Sequence, residues 1–348
     1  MDEEELVGRE VIREGPEGTP PAWPEPGSAP GVFCARLRAM QGRDRVRQIV
    51  QVALAAAGVG AALVMLGHTD FHALRRFGPW AAVVLGIEGT RILAEALATR
   101  SLHGDAVRVP WYPLLRAHAA GYALANTLPA GRSVAEATKA VMLAPWAEVG
   151  RSAGVAATNQ SLVLLAAGAL SVAWSFAARS LDQSALAWTV AVQGATVVGL
   201  GAALLSVVRS QAIASWVGVR FPRAAATVAG ARDGARARGL PVAFVCFAYH
   251  RAAQALQLFL LLGALGRWDT TRALALAGAA IVGTTVGVVT PGQVGAVGGA
   301  LALAGPGVGV PAPQALAMAL MIHAAQFSWA SFGIVLWSTT RRPRPAGE

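Results

Sequence analysis

Two stretches constrain the fold more than anything else in the chain. Ser152–Ala178 and Ser184–Val208 contain no Asp, Glu, Lys or Arg, and each exceeds the roughly 20 residues with which a helix crosses the hydrocarbon core of a bilayer. Lipid offers no partner for a bare backbone N–H or C=O, so only helices and closed barrels span it. Long apolar runs without strict alternation are helical. The bulk composition agrees. Of 348 residues, 55% are hydrophobic and 14% charged, with a mean hydropathy of +0.49, too little charge to coat a soluble domain of this size. The expected fold class is an all-α integral membrane protein.

Four further stretches read as spans: Ile49–Leu66, Trp80–Leu102, Leu240–Leu265 and Gln314–Trp337. With the first two they make about six full transmembrane helices. Residues 112–146 and 271–306 are apolar but interrupted at Thr127–Gly131 and Thr290–Gly292. Each is either a pair of spans or a re-entrant hairpin of half-length helices, and either way the chain returns to its side of entry.

A net charge of +10 would suggest nucleic acid in a soluble protein. In a membrane chain it reads instead as arginine set against anionic lipid headgroups at the cytoplasmic face, and no nucleic-acid partner is expected. With the N-terminus inside, the inner segments receive Arg36–Arg47, Arg100, Arg108, Arg116, Arg151, the basic stretch 209–239, and Arg341, Arg342 and Arg344. The outer loops receive only Arg75, Arg76, Arg179, Arg267 and Arg272. That asymmetry puts both termini in the cytoplasm, and heavy Ala, Gly and Arg use with almost no Lys points to a GC-rich bacterial genome, hence to a multi-pass inner-membrane protein. Residues 1–46 read as an acidic, Pro-rich, disordered segment followed by a basic collar, with no signal-peptide pattern. Residues 47–340 form the transmembrane domain, and 341–348 a short cytoplasmic tail. Cys34 and Cys246 make no disulfide framework.

The stretch "ANTLPAGRSVAEATKAVML", residues 125–143, places a Pro–Gly break, an acid and the chain's only lysine, Lys139, in one hydrophobic neighbourhood. A related grammar returns in "VVTPGQVGAVGGALALAGPG", with Pro129 falling at Pro291. Three expected crossings separate the two, so they enter the bilayer from opposite faces. That is the arrangement of an inverted repeat, and transporters with such repeats carry their sites between them.

These two regions resemble the signature regions of the flippase-like integral membrane family, also called the lysylphosphatidylglycerol synthase transmembrane region family, which includes hopanoid-associated membrane proteins. The likeness covers about residues 47–340. It implies movement of a lipid or lipid-linked substrate between leaflets. Synthase members carry a separate soluble aminoacyl-transfer domain, and no stretch of this sequence reads as one. Two departures stand out. Gly298 and Gly299 occupy the place where relatives often carry a glutamate, and Glu136 follows Pro129 by seven residues, later than in the commoner pattern.

Ionisable groups inside a span are unfavourable by at least ~2.5 kcal/mol each on insertion scales, so they need a partner or a wet cavity. Glu88, Arg91 and Glu95 share one helical face, where Arg91 can pair with either acid; the leftover negative charge is expected to seek Arg251 or a proton. The alternative is a neutralised clasp between helices. Glu136 and Lys139 also share a face, on a half-helix expected to start near Ser133, with Arg132 at its N-terminal end. Amides and the positive dipole end there suit an anionic headgroup such as a phosphate, although ends that snorkel to water would read the same way. His250, Arg251, Gln254 and Gln257 in one span suggest a lined cavity, and His323 with Gln326 a smaller pair.

In the second hairpin only backbone, Thr284, Thr285, Thr290 and Gln293 can bind anything. Substrate-binding candidates are therefore Asn126, Arg132, Glu136, Lys139, Arg251, Gln254 and Gln293. Proton- or ion-coupling candidates are Glu88, Arg91, Glu95, His250 and His323. "HTDFH", residues 68–72, reads as an interfacial loop rather than a metal site. No catalytic, Walker or dinucleotide motif appears, so no cofactor is expected. The leading expectation is an inner-membrane translocator of a lipid or lipid-linked substrate, either downhill or proton-coupled. A membrane-embedded lipid-modifying transferase and a non-transporting partner of a lipid-synthesis complex are its rivals.

Overall fold

A computed structural model describes residues 60, 63–104, 107, 109–128, 131–221, 228–229, 232–233, 238–290 and 293–338, and these hold helices and no strand. Both tails, most of 222–237, and all of Ile49–Leu66 except residues 60 and 63–66 lie outside the described residues. In chain order the helices are α1 (Phe71–Phe77), α2 (Ala81–His103), α3 (Trp111–Thr127), α4 (Gly131–Leu143), α5 (Val149–Ser180) and α6 (Ser184–Arg209). They continue with α7 (Gln211–Arg220), α8 (Leu240–Ala264), α9 (Thr270–Val286), α10 (Val294–Ala304) and α11 (Ala312–Ser338).

Four of these, α5, α6, α8 and α11, are long and apolar enough to cross a membrane, which makes this a multi-pass membrane protein. Helix α2 is 23 residues long, about 35 Å at ~1.5 Å per residue, but Glu88, Arg91, Glu95 and Arg100 set it apart from those four. Large apolar side chains such as Trp188, Val192 and Leu200 lie exposed on α6, as they should on a surface facing lipid. Between helices in lipid the attraction is packing rather than water exclusion, and the interior is accordingly built of small residues. Ala273, Ala275, Ala277 and Ala279 of α9, with Ala315, Ala317 and Ala319 of α11, join Leu258, Leu261 and Leu262 of α8 in the main core.

Proline places both interruptions. The residue before a proline is pushed out of the α region. Leu128, before Pro129, is extended at φ −107° and ψ 147°, and Thr290, before Pro291, is extended at φ −93° and ψ 140°. After each break the chain doubles back. Gly131 lies against Leu124 and Ala125, and farther along Gly121 meets Ala135 and Lys139, so α3 and α4 run antiparallel. Likewise Gly283 lies against Ala296, Val297 and Ala300 while Gly287 meets Gln293 and Ala296, making α9 and α10 a second antiparallel hairpin. The return helices are short, 13 residues in α4 and 11 in α10. They measure about 20 Å and 16 Å, against a hydrocarbon core of roughly 30 Å.

Helix starts follow local chemistry. Asp70 Oδ1 accepts from the backbone N–H of His72 at 2.9 Å and of Ala73 at 3.1 Å, capping α1, and Asp269 caps α9 through the N–H of Arg272. The one acid of "HTDFH" is thus engaged as a cap. The Ala73 N–H, helped by that of His72, holds the Asp70 carboxyl below the usual carboxylate range. A depressed folded-state pKa stabilises above the unfolded value and loses that contribution as pH falls through the folded one. Thermal unfolding is therefore expected to shift downward on acidification by less in Asp70→Asn, which keeps the cap without the charge, than in the parent. Equal acid sensitivity would remove Asp70 from the account.

Candidate functional site

The two hairpins meet in one polar cavity. It measures about 100 Å³ and is enclosed by α2, α3, α4, α8, α9, α10 and α11. Asn126 and Arg132 reach it from the two sides of the first break, and Gln293 comes from the second. Gln293 adopts a left-handed backbone, φ 57°, a conformation unfavourable for a residue with a side chain. Glu136, Lys139, Arg251 and Gln254, the remaining substrate-binding candidates, line the same space, as do Arg91, Glu95, His250 and His323. Residues as far apart in sequence as Arg91 and Gln326 therefore share one chamber.

Glu88 is the one candidate that does not line it. Wholly buried, its carboxylate accepts from Arg91 Nη1 at 2.5 Å, from Gln257 Nε2 at 3.0 Å and from the Tyr122 hydroxyl. Three donors from α2, α8 and α3 converge on it, which is the arrangement of an interhelical clasp. Tyr122 was not among the sequence candidates, although it lies one turn before Asn126 on the same helix. Gln160 of α5 was missed as well. Its Nε2 reaches Glu136 Oε1 at 3.4 Å, and a single glutamine in an uncharged span gives little sign of this.

The second acid of α2 departs from expectation. Arg91 spends its guanidinium on Glu88 and on His250, whose Nε2 lies 2.8 Å from Arg91 Nη2. Glu95 therefore turns to other partners. Its Oε1 stands 3.6 Å from Arg132 Nη2 and 3.3 Å from His250 Nδ1. Arg251 or a proton was the expected partner, but the first break starts α4 at Gly131 and so delivers Arg132 instead. Because a guanidinium can only donate, His250 Nε2 must accept from Arg91, which leaves the imidazole proton on Nδ1, facing Glu95. That contact is close but poorly aligned. Across the chamber, Lys139 Nζ and Glu136 Oε1 form an ion pair at 2.5 Å. His323 Nδ1 and Gln326 Oε1 pair at 2.9 Å.

Arg251 is left over. It is 7% exposed, and among the described residues its one hydrogen bond is a long one to Gln254 Oε1 at 3.4 Å and its Nε has no partner. Among the described residues no carboxylate comes within ion-pair distance of it. With the histidines neutral, Arg91, Arg132, Lys139 and Arg251 face Glu88, Glu95 and Glu136, so the chamber and its clasp carry one more positive than negative charge. A buried cation without a counter-charge is strongly unfavourable. Such an enclosure can hold an anion, and a guanidinium fork suits phosphate or carboxylate oxygens.

Of the other sequence candidates, Thr284 lines the chamber. Thr285 accepts from Gln193 of α6 at 2.9 Å, and Thr290 turns back to its own helical turn at Gly287 O. Sequence comparison adds the family. No curated protein and no solved structure gave a significant match. A family model described as lysylphosphatidylglycerol synthase TM region, however, matches residues 48–333, which take in both hairpins and every residue of the chamber. The chain belongs to the lysylphosphatidylglycerol synthase TM region family.

Proposed function

We propose that this protein is a flippase-like carrier, moving a lipid or lipid-linked substrate with an anionic headgroup between the leaflets of a bacterial inner membrane. Family membership ties the chain to lipid metabolism, and the unpaired, buried Arg251 in a cavity at the meeting point of two broken hairpins is the observation that carries the reading. In it, the hairpins are re-entrant elements of an inverted repeat. Their opposed entry follows from the count of crossings, and arginine placement puts both termini in the cytoplasm. The headgroup occupies the chamber between Arg251, Arg132 and Lys139, while the acyl chains stay in lipid. Helix dipoles and guanidinium groups replace the water that the anion gives up.

The reading is of a carrier rather than a catalyst, supported by Lys139, whose amine beside the Glu136 carboxylate is held in an ion pair with it and so has no free lone pair to attack with. Reconstitution in vesicles with a trace of fluorescent phosphatidylglycerol tests it. Arg251→Met is expected to slow translocation by about 10-fold to 100-fold, the equivalent of one charged hydrogen bond, and Arg251→Lys is expected to recover part of the rate. Unchanged rates in both variants would take the site away. Lipid mass spectrometry of a deletion strain separates the rivals: a missing lipid species supports a transferase, an intact species held in the wrong leaflet supports a carrier.

A further inference from the structure

Beside the main chamber lies a second, much smaller one. It measures about 10 Å³, room for about one water molecule, and its walls are Thr99 and His103 of α2, Ser152 and Asn159 of α5, and Glu136 and Lys139 of α4. The last two also line the main chamber, so the Glu136–Lys139 ion pair is the partition between them. Three wall atoms, His103 Nδ1, Ser152 Oγ and Asn159 Oδ1, are buried without a hydrogen-bond partner among the described residues, on residues only 1%, 4% and 3% exposed. Asn159 Nδ2 is already donated to Thr99 Oγ1 at 2.9 Å, which leaves its carbonyl oxygen as an acceptor. Buried polar atoms are nearly always paired, with ordered water if not with protein. An acceptor, a hydroxyl and an imidazole nitrogen around a space of this size are the partners one water needs.

Resting on the carrier reading above, we propose that this space holds a water that passes a proton to Glu136, and that the proton travels with the anionic cargo. The water gives one proton to a Glu136 oxygen and takes one from His103 Nδ1–H, and His103 recovers its proton at Nε2 from bulk water, so the net change is one bulk proton moved onto Glu136. Once neutral, Glu136 no longer balances Lys139, which is 7% exposed, and the main chamber gains one positive charge. A proton on Glu136 and an anion in the chamber then favour each other, and the coupling is reciprocal. The groups facing this acid from its neighbours fit the scheme. Besides Lys139 these are Gln160 of α5 at 3.4 Å, His103 across the small chamber, and Arg132, Arg251, Glu95, His250 and His323 around the main one. His118 of α3 lies within Coulombic reach of both Lys139 and His103, and Arg151 holds the His103 carbonyl at 2.8 Å.

Radiolytic footprinting of the full-length protein reads the water directly, because a residue as buried as His103 is oxidised only by hydroxyl radical formed next to it. His103 is expected to be modified, whereas Met318, 0% exposed in the main core and lining neither chamber, is expected to stay intact. Asn159→Leu should abolish the His103 signal, and the milder Ser152→Ala should weaken it. In vesicles of phosphatidylethanolamine and phosphatidylglycerol with fluorescent phosphatidylglycerol and an entrapped pH dye, an imposed pH gradient should accelerate translocation by the parent. The acceleration and the accompanying proton flux should be lost in Asn159→Leu. An unmodified His103 in the parent, or a gradient response retained in Asn159→Leu, overturns the relay. A parent that moves no fluorescent lipid with or without a gradient overturns the carrier reading instead, and the footprint still decides whether the water is there.

Discussion

Glu88→Ala is expected to destabilise the protein by about 3–5 kcal/mol, the usual consequence of removing one member of a buried ion pair. The carboxylate is wholly buried and Arg91 is 4% exposed, so among the described residues the arginine left behind keeps only His250 and the edge of the chamber that it lines. The Tyr122 hydroxyl and the Gln257 amide lose their acceptor at the same time. Arg91→Leu should be comparably harmful, because it strands the carboxylate. The paired change Glu88→Leu/Arg91→Leu should recover most of the loss, since it removes both charges and leaves only neutral polar groups to be satisfied. Thermal unfolding of the detergent-solubilised variants gives the double-mutant cycle. Single variants that unfold with the parent would mean that water or lipid reaches this cluster.

What this cluster does for the fold also marks how far the sequence could be read. Helices and breaks were legible because their causes are local: an uncharged run is a span, and a proline sends the residue before it extended. The expected spans Ser184–Val208 and Leu240–Leu265 match α6 and α8 to within one residue at either end. The gathering of Asn126, Arg132, Glu136, Lys139, Arg251 and Gln293 was approachable for a different reason, because polar groups in a membrane interior have few places to go except one another. Partner choice was not legible. Arg91 takes Glu88 where Tyr122 of α3 and Gln257 of α8 also converge, and whether Glu95 then takes Arg251 or Arg132 depends on how α4 is docked on α3. That is fixed by a contact between two backbones that no residue type announces. Tyr122 and Gln160 were missed on the same ground, since each matters only for what stands opposite it.

That docking contact is where the largest functional loss is expected. A Cβ at Gly131 would stand 2.2 Å from Leu124 O and 3.0 Å from Ala125 Cα, both backbone atoms of the facing helix, so Gly131→Ala has no side chain to push aside. The hairpin must open, and with it move Arg132, Glu136 and Lys139, three of the charges that define the chamber. Overpacking of this kind typically destabilises by about 1–3 kcal/mol. Translocation should suffer more than stability, because a site displaced by a fraction of an ångström to an ångström no longer presents its donors together. Two other glycines calibrate the effect. At Gly121 an added Cβ would meet Lys139 Cγ at 3.0 Å and Cδ at 3.1 Å, a flexible chain that can give way, although any shift of Lys139 strains its ion pair with Glu136. At Gly86 the space is open, and alanine should stabilise α2 by up to about 1 kcal/mol through helix propensity alone. The expected order of lost translocation is Gly131→Ala, then Gly121→Ala, with Gly86→Ala at the parent's rate. If Gly131→Ala translocates like Gly86→Ala, the close approach of α3 and α4 is not what holds the chamber in shape.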